Sequence, residues 1–170
     1  MEPLVGRLAA ARIGETYNQY ARSELRRSRL SAYLASHADA QTILVGEAAG
    51  YRGARISGIP FTSERQLTGT GPAEATATIV HRVLSELGLE EVVLLWNVVP
   101  THPGTERSNR PPTRAEIAAA APFLDELTRH RRAIPVGRVA GTVLGVPHLR
   151  HPSHGGADLF AKGLQRMLAA

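Results

Sequence analysis

Cysteine is absent from these 170 residues, lysine occurs once, at Lys162, and aromatic side chains make up only 5% of the chain. Without a thiol there is no disulfide, no thiolate metal site, no cysteine-ligated iron–sulfur cluster and no cysteine nucleophile. A membrane-spanning helix needs roughly 20 consecutive apolar residues, and no run in the chain approaches that. The opening Met1-Glu2-Pro3-Leu4-Val5-Gly6-Arg7 has no apolar stretch behind a basic start, as a secretory leader has. These absences lead to the expectation of a cytoplasmic protein with no membrane association.

What is present is arginine. Lysine and arginine total 20 against 15 aspartates and glutamates, a formal net charge of +5. The guanidinium is a planar fork that meets phosphate through two parallel hydrogen bonds. A basic balance carried by arginine therefore favours a polyanionic partner such as nucleic acid.

The length fits one domain, 1–170, divided into an N-terminal helical segment, 1–41, and an α/β core, 42–170. Hydrophobic spacing predicts helices over 3–12 and 23–36. In the second, Leu25, Leu30, Tyr33 and Leu34 fall near one face while Arg22, Arg26, Arg27 and Arg29 crowd the other. That basic face is either an ordinary solvated one or an approach to DNA. From residue 42 strands and helices alternate. Strands are expected at 42–45, 92–96, 133–136 and 146–149. A glycine-rich loop follows the first strand to residue 72, and helices follow at 76–87, from the Thr113/Glu116 capping box to 129, at 139–144 and at 157–168. The pattern implies a three-layer α/β/α fold around a central four-stranded parallel sheet.

In open parallel sheets ligands bind beyond the carboxyl ends of the strands. Those ends carry Gly46-Glu47, Asn97, Gly137-Arg138 and Arg150-His151-Pro152-Ser153, so a carboxylate, an amide and an imidazole converge on one edge. Phe61, one of three phenylalanines, sits between Pro60 and Thr62 outside any periodic apolar segment. It is either a plug under its loop or a platform on which a base stacks.

Gly46-Glu47-Ala48-Ala49-Gly50 resembles the first motif of the family 4 uracil-DNA glycosylases, and Gly58-Ile59-Pro60-Phe61 resembles their Gly-x-Pro-Phe loop. Leu95-Trp96-Asn97-Val98-Val99 is similar to their Asn-Val-Val strand end, and Ser108-Asn109-Arg110-Pro111-Pro112-Thr113 to their Asn-Arg-x-Pro-Thr element. His151-Pro152-Ser153 resembles the second active-site motif shared across most of the uracil-DNA glycosylase superfamily. The resemblance implies a monomeric enzyme without a cofactor that flips uracil out of DNA and hydrolyses its N-glycosidic bond, leaving free uracil and an abasic site. It assigns Glu47, His151 and Asn97 to catalysis. Glu47 would hold the water, His151 would donate to uracil O2, and Asn97 would read N3–H and O4. Gly46, Ala48, Tyr51 and Phe61 are expected around the base with Asn97 and His151. Arg52, Ser63, Arg110, Ser153 and His154 are expected at the DNA backbone, with His154 in the place of a wedge residue.

The chain departs from the family pattern at three points. Family 4 enzymes ligate a four-iron, four-sulfur cluster through cysteines, so the match is to a cluster-free branch or a neighbouring family. Ala49 stands where relatives have proline. Gly50 stands where the best-known family has a tyrosine that blocks thymine's methyl group, with Tyr51 one step later. Three other readings stand beside this one. His148, His151 and His154, at every third residue, could serve a metal hydrolase with His102. Gly46, Gly50 and Gly53 could form a nucleotide-binding loop, although they lack the dinucleotide spacing. The third is a catalytically weak protein of the same fold that binds uracil or abasic DNA.

Overall fold

The computed structural model describes residues 3–169; Met1, Glu2 and Ala170, the outer limits of the expected domain, lie outside them. Helices α1 (Leu4–Ala10) and α2 (Glu24–Ser36) precede strand β1 (Thr42–Ala48). Short helices α3 (Ala54–Ser57) and α4 (Glu64–Thr68) and the longer α5 (Ala75–Glu86) lead to β2 (Val93–Val99). Helix α6 (Arg114–Thr128) leads to β3 (Arg132–Pro135), and α7 (Arg138–Leu144) and α8 (Ala157–Ala169) follow. The strands are parallel in the order β2-β1-β3.

Every position of β2 is buried, which is why it reads as an unbroken apolar run interrupted only by Asn97. Successive strand side chains face opposite sides of the sheet. Ile43, Val45, Leu94 and Trp96 pack with Leu8, Leu30, Phe123 and Leu124 from α1, α2 and α6. Leu44, Leu95 and Ile134 pack with Val80, Leu84, Phe160 and Leu164 from α5 and α8. Helices therefore cover both faces. The capping box forms as expected: Thr113 Oγ1 accepts from Glu116 N–H at 3.2 Å, and the Glu116 carboxylate accepts from Thr113 N–H at 2.8 Å.

The sheet has three strands, not the expected four. The fourth is reduced to a single parallel bridge between Val136 and Leu149, with Leu149 N–H donating to Pro135 O at 2.8 Å and Gly137 N–H to Leu149 O at 2.9 Å. Pro147, which would extend that ladder, has no N–H to donate. In compensation β1 and β2 run further than expected, because their pairing continues through Gly46–Asn97 and Ala48–Val99. Glu47 and Asn97 thus lie within strands. Alternation turns Glu47 away from the face that Gly46 and Asn97 share.

The stretch read as a glycine-rich loop contains α3 and α4, helices of four and five residues that are too short to show a hydrophobic period. The arginines of α2 are drawn to this stretch and to the turn before α2. Arg26 Nε donates to Ile56 O at 2.8 Å, Arg27 to Tyr20 O at 2.8 Å, and Arg29 forks onto the Glu64 carboxylate at 2.8 and 3.0 Å. Arg26, Arg27 and Arg29 thus hold the fold together, while Arg22 is exposed, as is Leu25, placed on the apolar side. Among the described residues no helix is long and apolar enough to cross a membrane.

Candidate active site

A cavity of about 190 Å³ lies where the carboxyl end of β1 meets the segments around residues 109 and 151. Glu47, Glu74, Asn109, Arg110 and His151 line it, together with Ala48–Gly50. Its volume is below the range of drug-sized sites, roughly 300–1,000 Å³, and suits a small group.

After Leu149 the chain turns through His151-Pro152-Ser153, and the turn folds back on the imidazole. Ser153 N–H and Oγ lie 3.2 and 2.7 Å from His151 Nδ1. A backbone N–H can only donate, so Nδ1 is the acceptor and the neutral ring carries its proton on Nε2. Ser153 Oγ is in turn 3.0 Å from Nδ1 of His154. Burial first, then the charges of His154 and Arg150, push the His151 pKa below its usual 6.5. The turn therefore holds a neutral imidazole, with a fixed donor, in the cavity wall.

Glu47 is half-buried in the same wall, and burial raises its pKa above the usual carboxylate value. Glu74, immediately before α5, lines the cavity too and is raised for the same reason. Its carboxylate occupies the space where side chains at two motif glycines would stand. A Cβ at Gly53 would lie 1.8 Å from Glu74 Oε2, and one at Gly50 would lie 2.8 Å from it. Nothing in the pattern around Glu74, a lone acidic residue ahead of a helix, distinguishes it from an ordinary helix-start residue.

Asn97 and Phe61 meet on the adjoining face. A Cβ at Gly46 would lie 2.4 Å from Phe61 Cζ and 2.8 Å from Asn97 Oδ1, so only glycine lets the ring and the carboxamide come together over β1. Asn97 is buried, Phe61 is half-buried, and neither lines the cavity. Phe61 and His154, with φ of 53° and 52°, are the two non-glycine residues in left-handed backbone among those described. Such conformations cost about 1–3 kcal/mol and cluster at ligand sites, where surrounding contacts enforce them.

The family model of the Uracil DNA glycosylase superfamily matches residues 34–166. The chain belongs to this superfamily. A crystal structure of wild-type SMUG2 from Pedobacter heparinus is similar to it over 100% of both chains, with a TM-score of 0.69 and 12% sequence identity, which is a likeness of fold. No curated protein sequence matches. At the level of the superfamily, the chain is a DNA glycosylase, a DNA-binding hydrolase of DNA repair.

Around this candidate site the other expected residues fall at different distances from the cavity. Tyr51 N–H donates to Asn109 Oδ1 at 2.9 Å, tying the motif-one loop to the 108–113 segment, but Tyr51 does not line the cavity. Arg52 is exposed, with no ion pair among the described residues. Ser153 is half-buried against the two histidines, and His154 is exposed at the tip of its turn. Ser63 is fully buried: its N–H and hydroxyl donate to Gln66 Oε1 at 2.8 and 2.9 Å, so it starts α4 and is shut off from solvent.

His102, considered above only as a metal ligand, is buried with its ring nitrogens 2.7 Å from the carbonyls of Ala49 and Thr105. It pins the motif-one loop to the segment after β2. His148 packs against Gly141, and among the described residues no group of three metal-ligating side chains comes together.

Arg110 borders the cavity, but its fork is held by Glu116 at 2.8 and 2.6 Å. Glu116 is buried, and the Arg110 hydrogen bonds first, then the Thr113 N–H, lower its pKa from 4.5 to about 2. A carboxylate lowered on folding stabilises the fold above its unfolded pKa, and the contribution is lost as pH falls through the folded value. Glu116→Ala is expected to lower the unfolding free energy by about 3 kcal/mol at pH 7, measured by urea denaturation. The gap from the parent should narrow toward pH 2, and an unchanged midpoint at pH 7 would contradict the role.

Proposed function

We propose that the chain is a uracil-DNA glycosylase, releasing free uracil from DNA and leaving an abasic site, as a cytoplasmic monomer. The observation that carries this reading is His151, a neutral imidazole with its proton fixed on Nε2, on the same cavity as the half-buried carboxylate of Glu47. Breaking the bond between C1′ and uracil N1 sends the electron pair to the base and leaves the sugar cationic. Negative charge then grows on uracil O2, where the Nε2–H of His151 donates to it. A donor fixed beforehand stabilises that charge without reorganisation at the moment of reaction. Glu47 positions a water beneath the sugar; the water oxygen bonds to C1′ and its proton passes to the carboxylate.

Asn97 supplies base identity, because its carboxamide can accept from N3–H and donate to O4 of one base at once. Cytosine presents the reverse pattern. A site with polar groups left unpaired rejects a mismatched base by on the order of 10⁴-fold. Phe61, beside Asn97, stacks on the flipped base, and Gly46 and Ala48 give it room. His154, at the tip of the turn, enters the duplex in place of the base, and Ser153 and Arg52 meet phosphate. Flipping costs a few kcal/mol of unstacking, which these contacts offset.

The test is a panel of duplexes carrying uracil, cytosine or thymine at one position, with released base quantified by chromatography. The parent should release uracil and leave cytosine in place, since only cytosine reverses the pattern that Asn97 reads. Asn97→Asp removes the donor to O4 and should lower the uracil-to-cytosine ratio by at least about tenfold. An unaltered ratio in a folded Asn97→Asp variant would remove Asn97 from base selection. Retention of uracil-DNA by the parent without base release would favour the weakly catalytic binder.

A further inference from the structure

Three arginines are engaged by carboxylates of the protein itself: Arg29 by Glu64, Arg55 by Glu106 and Arg110 by Glu116. The far side of His151 is different. A cavity of about 360 Å³ adjoins the central one, sharing Glu47 and His151 with it, and is lined further by Arg138, His148 and Arg150. A second cavity of about 360 Å³ continues from it, sharing His148 and Arg150, and is lined by Arg166 of α8. Arg138, Arg150 and Arg166 are exposed, and none has a carboxylate partner among the described residues. Glu47, at the end next to the central cavity, is the one carboxylate lining this track among them. Val136 and Val139 in the first cavity and Leu159 and Met167 in the second give it an apolar floor.

We propose that this track seats the DNA backbone on one side of the reacting nucleotide, with Arg138, Arg150 and Arg166 binding successive phosphodiesters and the apolar floor contacting the sugars between them. The proposal rests on the glycosylase reading, since it places the strand by its continuity with the cavity of Glu47 and His151. Unpaired, exposed guanidinium forks match phosphate oxygens. A run of three cations with an apolar floor matches the alternation of phosphate and sugar along a strand. None of the three was singled out as a DNA contact by motif. They come from β3–α7, the turn after Leu149 and α8, and only the fold brings them into line.

Phosphate contacts register as salt dependence. For duplex DNA the slope of log affinity against log salt changes by about 0.9 for each phosphate neutralised. The measurement is fluorescence anisotropy of a labelled duplex carrying a non-hydrolysable tetrahydrofuran abasic site, over a salt series. Arg138→Ala, Arg150→Ala and Arg166→Ala should each weaken binding several-fold and flatten the slope by about one unit, and the triple variant by roughly two to three. Arg132→Ala, an exposed arginine at the opposite end of β3, should keep the parent slope. Thermal unfolding confirms that the variants are folded, and uracil release by the parent is measured in parallel. A triple variant with the parent slope, or an Arg132→Ala variant that loses as much, overturns the track. If the parent still releases uracil in that case, the glycosylase reading survives. If the parent neither binds the duplex nor releases uracil, both fail.

Discussion

His151→Ala is expected to slow base release by about 10²–10³-fold in single-turnover experiments, the cost of removing one preorganised donor from a developing anion. DNA retention should change little, because the donation to O2 grows only as the glycosidic bond breaks. Three features lead to this. The Ser153 N–H fixes Nδ1 as acceptor, burial first and then neighbouring His154 and Arg150 lower the ring's pKa, and the ring lines the cavity. Ser153→Ala gives a graded comparison. It removes the hydroxyl from Nδ1 but keeps the backbone N–H, so a smaller loss is expected. A His151→Ala variant with the parental single-turnover rate would contradict the assignment.

Glu47→Gln is expected to lower the rate by about 10²–10⁴-fold, the usual contribution of a positioned general base, and to remove the acid limb of the pH profile. The direction follows from the pKa shifts. Glu47 is raised above 4.5 by burial, while His151 is lowered below 6.5. As pH falls through the raised value, Glu47 takes up a proton and can no longer receive one from water, so the rate drops. At higher pH the carboxylate is ionised, the imidazole is neutral, and the rate levels off. Glutamine keeps the shape without the titrating group, so its residual rate should be flat through that range. Should the acid limb persist in Glu47→Gln, the titrating group is Glu74 or His151, which line the same cavity, and its loss or survival in Glu74→Gln distinguishes the two.

Local patterns in the chain point to Glu47 and His151, which the fold brings to one cavity, and they fail where only packing decides. The apolar runs of β1 and β2, the Thr113/Glu116 capping box and the His-Pro-Ser turn are short-range signals, and each is found where its pattern places it. The expected ends of β1 and β2 fall short of the observed ones, since a ladder stops where pairing stops, and Gly46–Asn97 pairing is not visible in either strand alone. The fourth expected strand shrinks to one bridge because one proline outweighs a favourable apolar run. Ser63 and the α2 arginines look like phosphate ligands by composition, yet Gln66, Glu64 and nearby carbonyls take them. Glu74 enters the site only because Gly50 and Gly53 leave room for it, a dependence that joins residues some twenty positions apart.

The most direct measurement uses end-labelled duplex DNA with a single uracil, incubated with the protein, treated with alkali and resolved by length. Cleavage at the uracil position, undiminished by EDTA and strongly reduced in His151→Ala and Glu47→Gln, is the predicted result. An intact strand after incubation with folded parent protein, whether or not the DNA is retained, would contradict the account.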